Sequence, residues 1–158
     1  MTIKKFRYTI IILLGVILQG CSDDSSLPKP STDRIELGKY INLEGYKPLQ
    51  VKWSYKKLGN QSDSRVPGSN DYRLEALLQF EKETIGRLKK NYNLLSVSLR
   101  ELRKEQFRFK WLDKNNLNML NNNSLIYYHP NFFKKGSLIH GGYIIINENT
   151  ILLSLQTM

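Results

Sequence analysis

Apolar and polar residues alternate in two stretches of the chain, and this period of two predicts two β-strands. In residues 48–56 the apolar side consists of Leu49, Val51, Trp53 and Tyr55. In residues 72–80 it consists of Tyr72, Leu74, Ala76, Leu78 and Phe80. The intervening residues 58–71 are rich in Gly, Asn, Ser and Asp, which are typical of turns. We therefore expect the two strands to pair antiparallel across a long loop.

The last part of the chain predicts a β-hairpin. Two apolar runs, 142–147 and 150–157, are separated only by Glu148 and Asn149, which tolerate turn geometry. Apolar residues occupy consecutive positions in 144–146 and in 151–153. In a strand with one solvent-exposed face, apolar and polar residues would alternate. These continuous apolar runs therefore predict a hairpin at the centre of the sheet, covered on both faces.

The other segments have weaker patterns. Residues 81–92 carry Ile85, Leu88 and Tyr92 at helical spacing, with acidic residues in the first turn and Lys89 and Lys90 near the end. This charge order suits the helix dipole and predicts a helix. Residues 35–45 and 115–124 are predicted to be loops, the first with room for a short strand. Residues 98–112 fit a helix in their first half and a strand in their second, and both interpretations stay open.

Together these elements predict an α+β fold, with a small antiparallel sheet of about four strands packed by one or two helices. Residues 35–158 are expected to form this single domain. Within it, Pro67 and Gly68 favour a turn that Asp71 closes just before a strand. The segment 66–72 resembles an element of uncharacterised small bacterial proteins, a resemblance that implies no activity.

The chain begins with the three-part layout of a secretory signal. Lys4, Lys5 and Arg7 form a basic opening, residues 9–18 form an apolar run, and a small glycine precedes Cys21. The run is about half as long as the roughly 20 apolar residues that a membrane-spanning helix needs. We therefore expect a signal that is removed, with an uncleaved anchor as one alternative.

The residues Leu18, Gln19, Gly20 and Cys21 resemble the lipobox of bacterial lipoproteins. This resemblance implies that residues 1–20 are removed, that the Cys21 thiol receives a diacylglycerol, and that the new amino group is acylated. Two or three chains hold a protein firmly, whereas one anchors it only marginally. An ordinary cleaved signal with a free Cys21 is the other alternative. Because Cys21 is the only cysteine, the chain can form no internal disulfide.

Residues 21–34 are expected to be a flexible tether, because Ser, Asp and two prolines dominate them. By resemblance to lipoprotein sorting, Ser22 implies transfer to the outer membrane rather than retention at the inner one. The acidic residues that follow Cys21 also resemble short export signals of some Bacteroidetes lipoproteins, which leaves the periplasmic or the outer surface open.

Positive charge is concentrated in one part of the chain. The formal net charge is +10, and it becomes +7 once the three basic residues of the signal are removed. Residues 82–114 hold ten basic and four acidic residues. A candidate contact face for anionic lipid, lipopolysaccharide or an acidic protein consists of Lys89, Lys90, Arg100, Arg103, Lys104, Arg108 and Lys110. The expected location in the envelope argues against a nucleic-acid partner, although aromatic residues interleave with basic ones at 107–111.

Catalytic chemistry has little support in the sequence. His129 and His140 are the only histidines, and no spacing of a zinc site, serine elbow, phosphate loop or dinucleotide fingerprint is present. We expect no metal and no cofactor. The predicted function is a non-catalytic binding module on a membrane-anchored lipoprotein. The alternative is a small envelope hydrolase that uses His129 or His140 with Asp71.

Overall fold

Six antiparallel strands form one open sheet in the computed structural model, which describes residues 29–58, 71–91, 97–98, 104–122 and 125–157. The strands are β1 (Gln50–Lys57), β2 (Tyr72–Gln79), β3 (Val97–Ser98), β4 (Ile126–Tyr128), β5 (His140–Ile145) and β6 (Thr150–Gln156). Their order across the sheet is β1-β2-β6-β5-β4-β3. The β1-β2 pair and the β5-β6 hairpin confirm both predicted pairings. The prediction of about four strands is close, and the two further strands, β3 and β4, have only two and three residues.

Within the described ranges three helices accompany the sheet, which confirms the predicted α+β fold. They are α1 (Arg34–Tyr40), α2 (Lys82–Asn91) and α3 (Lys114–Asn122), and a 3₁₀ turn occupies Glu105–Phe107. The bounds of α2 confirm the helix predicted at 81–92. Its basic residues Lys89 and Lys90 lie in the last turn, where they complement the negative end of the helix dipole.

The middle strand β6 buries side chains on both faces of the sheet, as its consecutive apolar residues predicted. On the first face, Ile151 and Leu153 join a core that includes Leu37 of α1 and Leu88 of α2. On the second face, Leu152 joins a core formed with residues 107–125. Full burial of one aliphatic side chain contributes about 1.5–3 kcal/mol, so a strand that packs on both faces anchors the whole fold.

The folded part begins before residue 35, where the sequence placed its boundary. The backbone of Ser31 exchanges two hydrogen bonds with that of Trp53, at 2.7 and 2.9 Å. The indole Nε1–H of Trp53 also donates to the carbonyl oxygen of Asp33, at 3.0 Å. These contacts fasten residues 31–33 to β1, so the end of the predicted tether is part of the domain.

Helix α1 corrects the loop predicted at 35–45. The Asp33 carboxylate accepts hydrogen bonds from the backbone N–H groups of Ile35 and Glu36, at 2.8 and 3.0 Å. This cap satisfies two of the four N–H groups that a helix leaves unpaired at its start. Leu37 is fully buried against the first face. One cap and one buried leucine therefore stabilise a seven-residue helix whose sequence shows no helical period of apolar residues.

Helix α3 corrects the loop predicted at 115–124. Asparagine is disfavoured in helix interiors because its side chain competes for backbone hydrogen bonds, and α3 contains several asparagines. Packing outweighs this preference, because Leu120 is fully buried in the core of the second face. Asp113 stands just before the helix and accepts a hydrogen bond from the backbone N–H of Asn116, at 2.9 Å.

Residues 98–112, which the sequence left open, form neither a long helix nor a long strand in their described part. Val97–Ser98 pairs with β4, and the 3₁₀ turn leads into an irregular segment, while residues 99–103 lie outside the described residues. Phe107 and Phe109 are buried in the core, and Arg108 and Lys110 are exposed. The aromatic residues of this segment are therefore structural, with the exception of the half-buried Trp111.

The cap of α3 gives a pH-dependent prediction. Hydrogen bonds from the backbone and side chain of Asn116 hold the pKa of the Asp113 carboxyl below its usual range. We expect Asp113→Ala to lower the free energy of unfolding by about 1 kcal/mol, whereas Asp113→Asn keeps an accepting oxygen and loses less. Because the pKa is depressed in the native state, the stabilisation by the charge is complete above the unfolded pKa and is lost as the pH falls below about 4.

Urea unfolding of a chain that begins at Ser22 measures this effect, since such a chain retains every described residue. The stability difference between the parent chain and Asp113→Asn should shrink between about pH 5 and pH 2. A difference that stays constant over that range would show that the charge of Asp113 contributes nothing to the cap.

Candidate functional site

The two histidines and Asp71 lie at one end of the sheet, but the structure does not join them. His129 directly follows β4, His140 begins β5, and Asp71 directly precedes β2. His129 Nδ1 is hydrogen-bonded to Asn131 Oδ1 at 2.9 Å, and Asp71 accepts from the Thr157 hydroxyl at 3.2 Å. Among the described residues, no hydrogen bond connects a histidine to Asp71. In the described part of the chain, His129 and His140 therefore do not form with Asp71 the hydrogen-bonded pair that the hydrolase alternative expects.

The basic residues predicted to form one face are divided between the two sides of the sheet. Lys89 and Lys90 belong to α2, which packs on the first face. Arg108 and Lys110 belong to the segment that packs on the second face. Lys104 lies at the start of that segment, while the predicted members Arg100 and Arg103 lie outside the described residues. Neighbours in the sequence are thus separated in space by the sheet, and the predicted single contact face is not formed by its described members.

A different set of basic residues lines an open cleft of about 640 Å³ between α1, the segment 41–48 and residues 134–135. We call it the basic cleft. Its five cationic side chains come from Arg34, Lys39, Lys47, Lys134 and Lys135. Glu44 is the one carboxylate among its described lining residues. The excess of four positive charges makes this cleft a candidate site for an anionic group.

Hydrogen bonds hold the walls of the basic cleft together. Arg34 Nη1 donates to the carbonyl oxygen of Pro48 at 3.1 Å, which ties α1 to the segment before β1. Lys135 Nζ donates to the carbonyl oxygen of Gly38 at 2.6 Å, and the N–H of Asn42 donates to the carbonyl oxygen of Phe133 at 3.1 Å. These bonds join the two parts of residues 34–48 to each other and to residues 133–135, so the shape of the cleft is set before any ligand binds.

Three lysines of the basic cleft remain available for a ligand. The side chains of Lys39, Lys47 and Lys134 form no hydrogen bond or ion pair with the described part of the chain, and each of these ammonium groups can donate three hydrogen bonds. Ile35, which also lines the cleft, is 82% exposed, and Leu49 nearby in sequence is 61% exposed. Exposed aliphatic residues beside lysines are typical of a surface that meets lipid head groups and the upper acyl chains.

The basic cleft has no clear signal in the sequence, because its five cations do not form a continuous basic run but are divided between residues 34–47 and 134–135. The signal that could have revealed α1 is the aspartate-to-glutamate spacing of a capped helix start, at Asp33 and Glu36. No sequence pattern pairs that helix with Lys134 and Lys135.

Within residues 29–157, taken without the undescribed gaps, no three His, Cys, Asp or Glu side chains come close enough to hold a metal ion. None of the helices in this part of the chain has the length and apolar character needed to cross a bilayer. No protein-family model matches the chain, and neither the curated proteins nor the solved structures contain a significant match.

Proposed function

We propose that this chain is a lipid-anchored bacterial envelope protein and that its domain is a non-catalytic module that binds phosphate-bearing lipid head groups in the basic cleft. The anchor is the acylated Cys21, and the outer membrane is the proposed destination. The observation that carries the binding function is the cleft itself, whose described lining holds five cations and one carboxylate.

The charge and shape of the basic cleft suit a phosphate better than a broad acidic protein surface. Its positive charge is concentrated in a concave site rather than spread along a flat face. Phosphate oxygens accept several hydrogen bonds each, and Lys39, Lys47 and Lys134 can supply the donors. The exposed Ile35 at the same site has no role toward a soluble anion, but it can enter the apolar boundary below the head groups.

The proposed anchor keeps the cleft near the bilayer. Ten positions separate Cys21 from Ser31, the residue that pairs with β1. Even when fully extended, ten residues span at most about 35 Å, since each residue advances about 3.5 Å. Helix α1, which forms one wall of the cleft, begins three residues after Ser31. One wall of the cleft therefore belongs to the first elements that follow the anchor, and the tether raises the effective concentration of head groups around it.

Neutralising the free lysines of the cleft should weaken binding to anionic membranes. The test uses chains that begin at Ser22, so that no lipid anchor contributes, and compares the parent with the triple variant Lys39→Gln, Lys47→Gln, Lys134→Gln. Each lysine near an anionic surface contributes about 1 kcal/mol, so the loss of three should lower the partition constant by about two orders of magnitude. Co-sedimentation with phosphatidylcholine vesicles that contain phosphatidylglycerol measures this constant at low salt.

A matched control carries Lys89→Gln, Lys90→Gln and Lys114→Gln, three exposed lysines outside the cleft, and has the same net charge. We expect this control to keep most of the parent's binding, and we expect parent binding to fall at high salt as screening shortens the range of the charges. Equal loss in both variants, or equal binding to vesicles of phosphatidylcholine alone, would contradict the proposal. A parallel series with lipid A in place of phosphatidylglycerol distinguishes the two sources of the phosphate.

A further inference from the structure

A second cavity lies on the other side of the sheet, next to Trp111. It has a volume of about 250 Å³ and is separate from the basic cleft, with which it shares no lining residue. Ser54 and Glu75 form its floor, and Trp111 and Pro30 form its apolar sides. We call it the Trp111 cavity. Lys29, Lys56 and Lys110 complete its described lining.

The floor of the Trp111 cavity is a chain of hydrogen bonds in which each carboxylate oxygen of Glu75 accepts one bond. The Trp111 indole Nε1–H donates to Ser54 Oγ at 3.0 Å, and the Ser54 hydroxyl donates to Glu75 Oε2 at 3.4 Å. Lys56 Nζ donates to Glu75 Oε1 at 2.5 Å. Glu75 is 4% exposed, so its charge would be costly without this lysine. The charges of Glu75 and Lys56 thus cancel, so the floor has no excess negative charge that would bind a cation.

Residues outside the cavity lining hold the indole of Trp111 in place. Lys52 Nζ lies 5.4 Å from the centroid of the ring and donates to the Trp111 carbonyl oxygen at 3.3 Å. Phe109 packs at a centroid distance of 5.2 Å. Trp111 lines the cavity, whereas Lys52 and Phe109 do not. A planar apolar group can pack there without moving the ring, because offset and tilted arrangements of rings are both favourable.

The remaining lysines give the Trp111 cavity a positive charge. Lys56 is paired with Glu75, which leaves Lys29 and Lys110. Neither side chain has an ion pair or hydrogen bond within the described ranges. A ligand that matches this cavity therefore has an apolar body for the walls and a negative charge for the two ammonium groups. A volume below the roughly 300–1,000 Å³ of drug-sized sites limits the body to about one ring.

We propose that the Trp111 cavity binds a small organic carboxylate with a planar apolar body. The body packs between Trp111 and Pro30, and the carboxylate accepts hydrogen bonds from Lys110 and Lys29. This site does not depend on the proposed function, because the basic cleft lies on the first face of the sheet. Since Lys29 and Pro30 directly precede Ser31, the ligand would contact the part of the chain that leads to the anchor.

Fluorine NMR of the full chain tests this proposal. The protein carries 5-fluorotryptophan, sits in nanodiscs of neutral lipid, and gives one signal each for Trp53 and Trp111, which Trp53→Phe assigns. Benzoate is the probe, with benzyl alcohol as its neutral counterpart and inorganic phosphate as an anion without an apolar body. We expect benzoate to shift the Trp111 signal in a saturable way while the signal of the buried Trp53 stays in place.

The variant Lys110→Gln should weaken benzoate binding about fivefold, since an exposed ion pair contributes up to about a factor of five. Lys114→Gln is the matched control, because it removes the same charge from an exposed position that does not line the cavity. The proposal is overturned if the Trp111 signal does not move, if benzyl alcohol binds as tightly as benzoate, or if phosphate competes equally well. Equal weakening by both lysine variants would show attraction to net charge alone and would also overturn it.

Discussion

Serine at position 21 is expected to remove the protein from the membrane. A thioether can form on the Cys21 thiol but not on a hydroxyl, so Cys21→Ser would receive no diacylglycerol. Each buried CH₂ contributes about 0.8 kcal/mol to membrane binding, and acyl chains contain many such groups. Phase separation in a cloud-point detergent should find the parent in the detergent phase and the variant in the aqueous phase or as an unprocessed precursor.

Two controls make this result specific to the thiol. Labelling with a radioactive fatty acid should mark the parent and leave Cys21→Ser unmarked. Ser22→Ala changes the neighbouring position without removing the thiol, and it should remain in the detergent phase. A processed Cys21→Ser protein that still enters the detergent phase would refute anchoring by lipid.

Alanine at position 141 is expected to destabilise the domain strongly. Gly141 has a φ of +114°, a backbone conformation that residues with a side chain rarely adopt. A Cβ there would lie 3.1 Å from the carbonyl carbon of Ser154 and closer still to its oxygen. Ser154 belongs to the central strand β6, whose two faces are both packed, so its backbone cannot move aside. The strained backbone and the overlap each cost about 1–3 kcal/mol, and we expect a loss of about 3 kcal/mol or more.

Gly136→Ala is the matched control for this substitution. Gly136 also has a positive φ, of 59°, but no atom lies within 4 Å of the Cβ that alanine would add. It should therefore lose only the cost of the left-handed backbone, about 1–2 kcal/mol. Urea denaturation compares the two variants, with soluble yield as the measure if Gly141→Ala does not fold. Equal stability losses would show that the approach of Ser154 is not what requires glycine at position 141.

The β1-β2 and β5-β6 pairs could be predicted because their strands are regular and consecutive in the sequence, whereas the long-range pairing of β2 with β6 could not. The alternation along 72–80 puts Leu74, Ala76 and Leu78 on one face, and all three are buried in the first core. The short turn at 148–149 brings β5 and β6 side by side, so they pair as an antiparallel hairpin. The place of β4 between β3 and β5 could not be predicted, because a strand of three residues has too few positions to show a period.

The two missed helices have a common physical cause. Both are short, and both depend on a capping aspartate and one fully buried leucine rather than on a long apolar stripe. Isolated helices of this length are marginal in water, so tertiary packing stabilises them. A search for capping residues would have found Asp33 and Asp113, but the burial of Leu37 and Leu120 depends on contacts that sequence does not display.

The candidate sites were beyond sequence analysis for a different reason. Charge along the chain indicated a basic run at 82–114, but the sheet separates Lys89 from Lys110. The Trp111 cavity joins Trp111 to Ser54, 57 residues apart, and the basic cleft joins Lys135 to Gly38, 97 residues apart. Only the pairing of the strands brings these groups together.

Mass spectrometry of the protein extracted from its native membrane tests the proposed anchor most directly. The account predicts a first peptide that begins at Cys21 and carries the added mass of a diacylglyceryl group on the sulfur and an acyl chain on the amine. A peptide that begins at Met1, or a Cys21 with a free thiol, would contradict it.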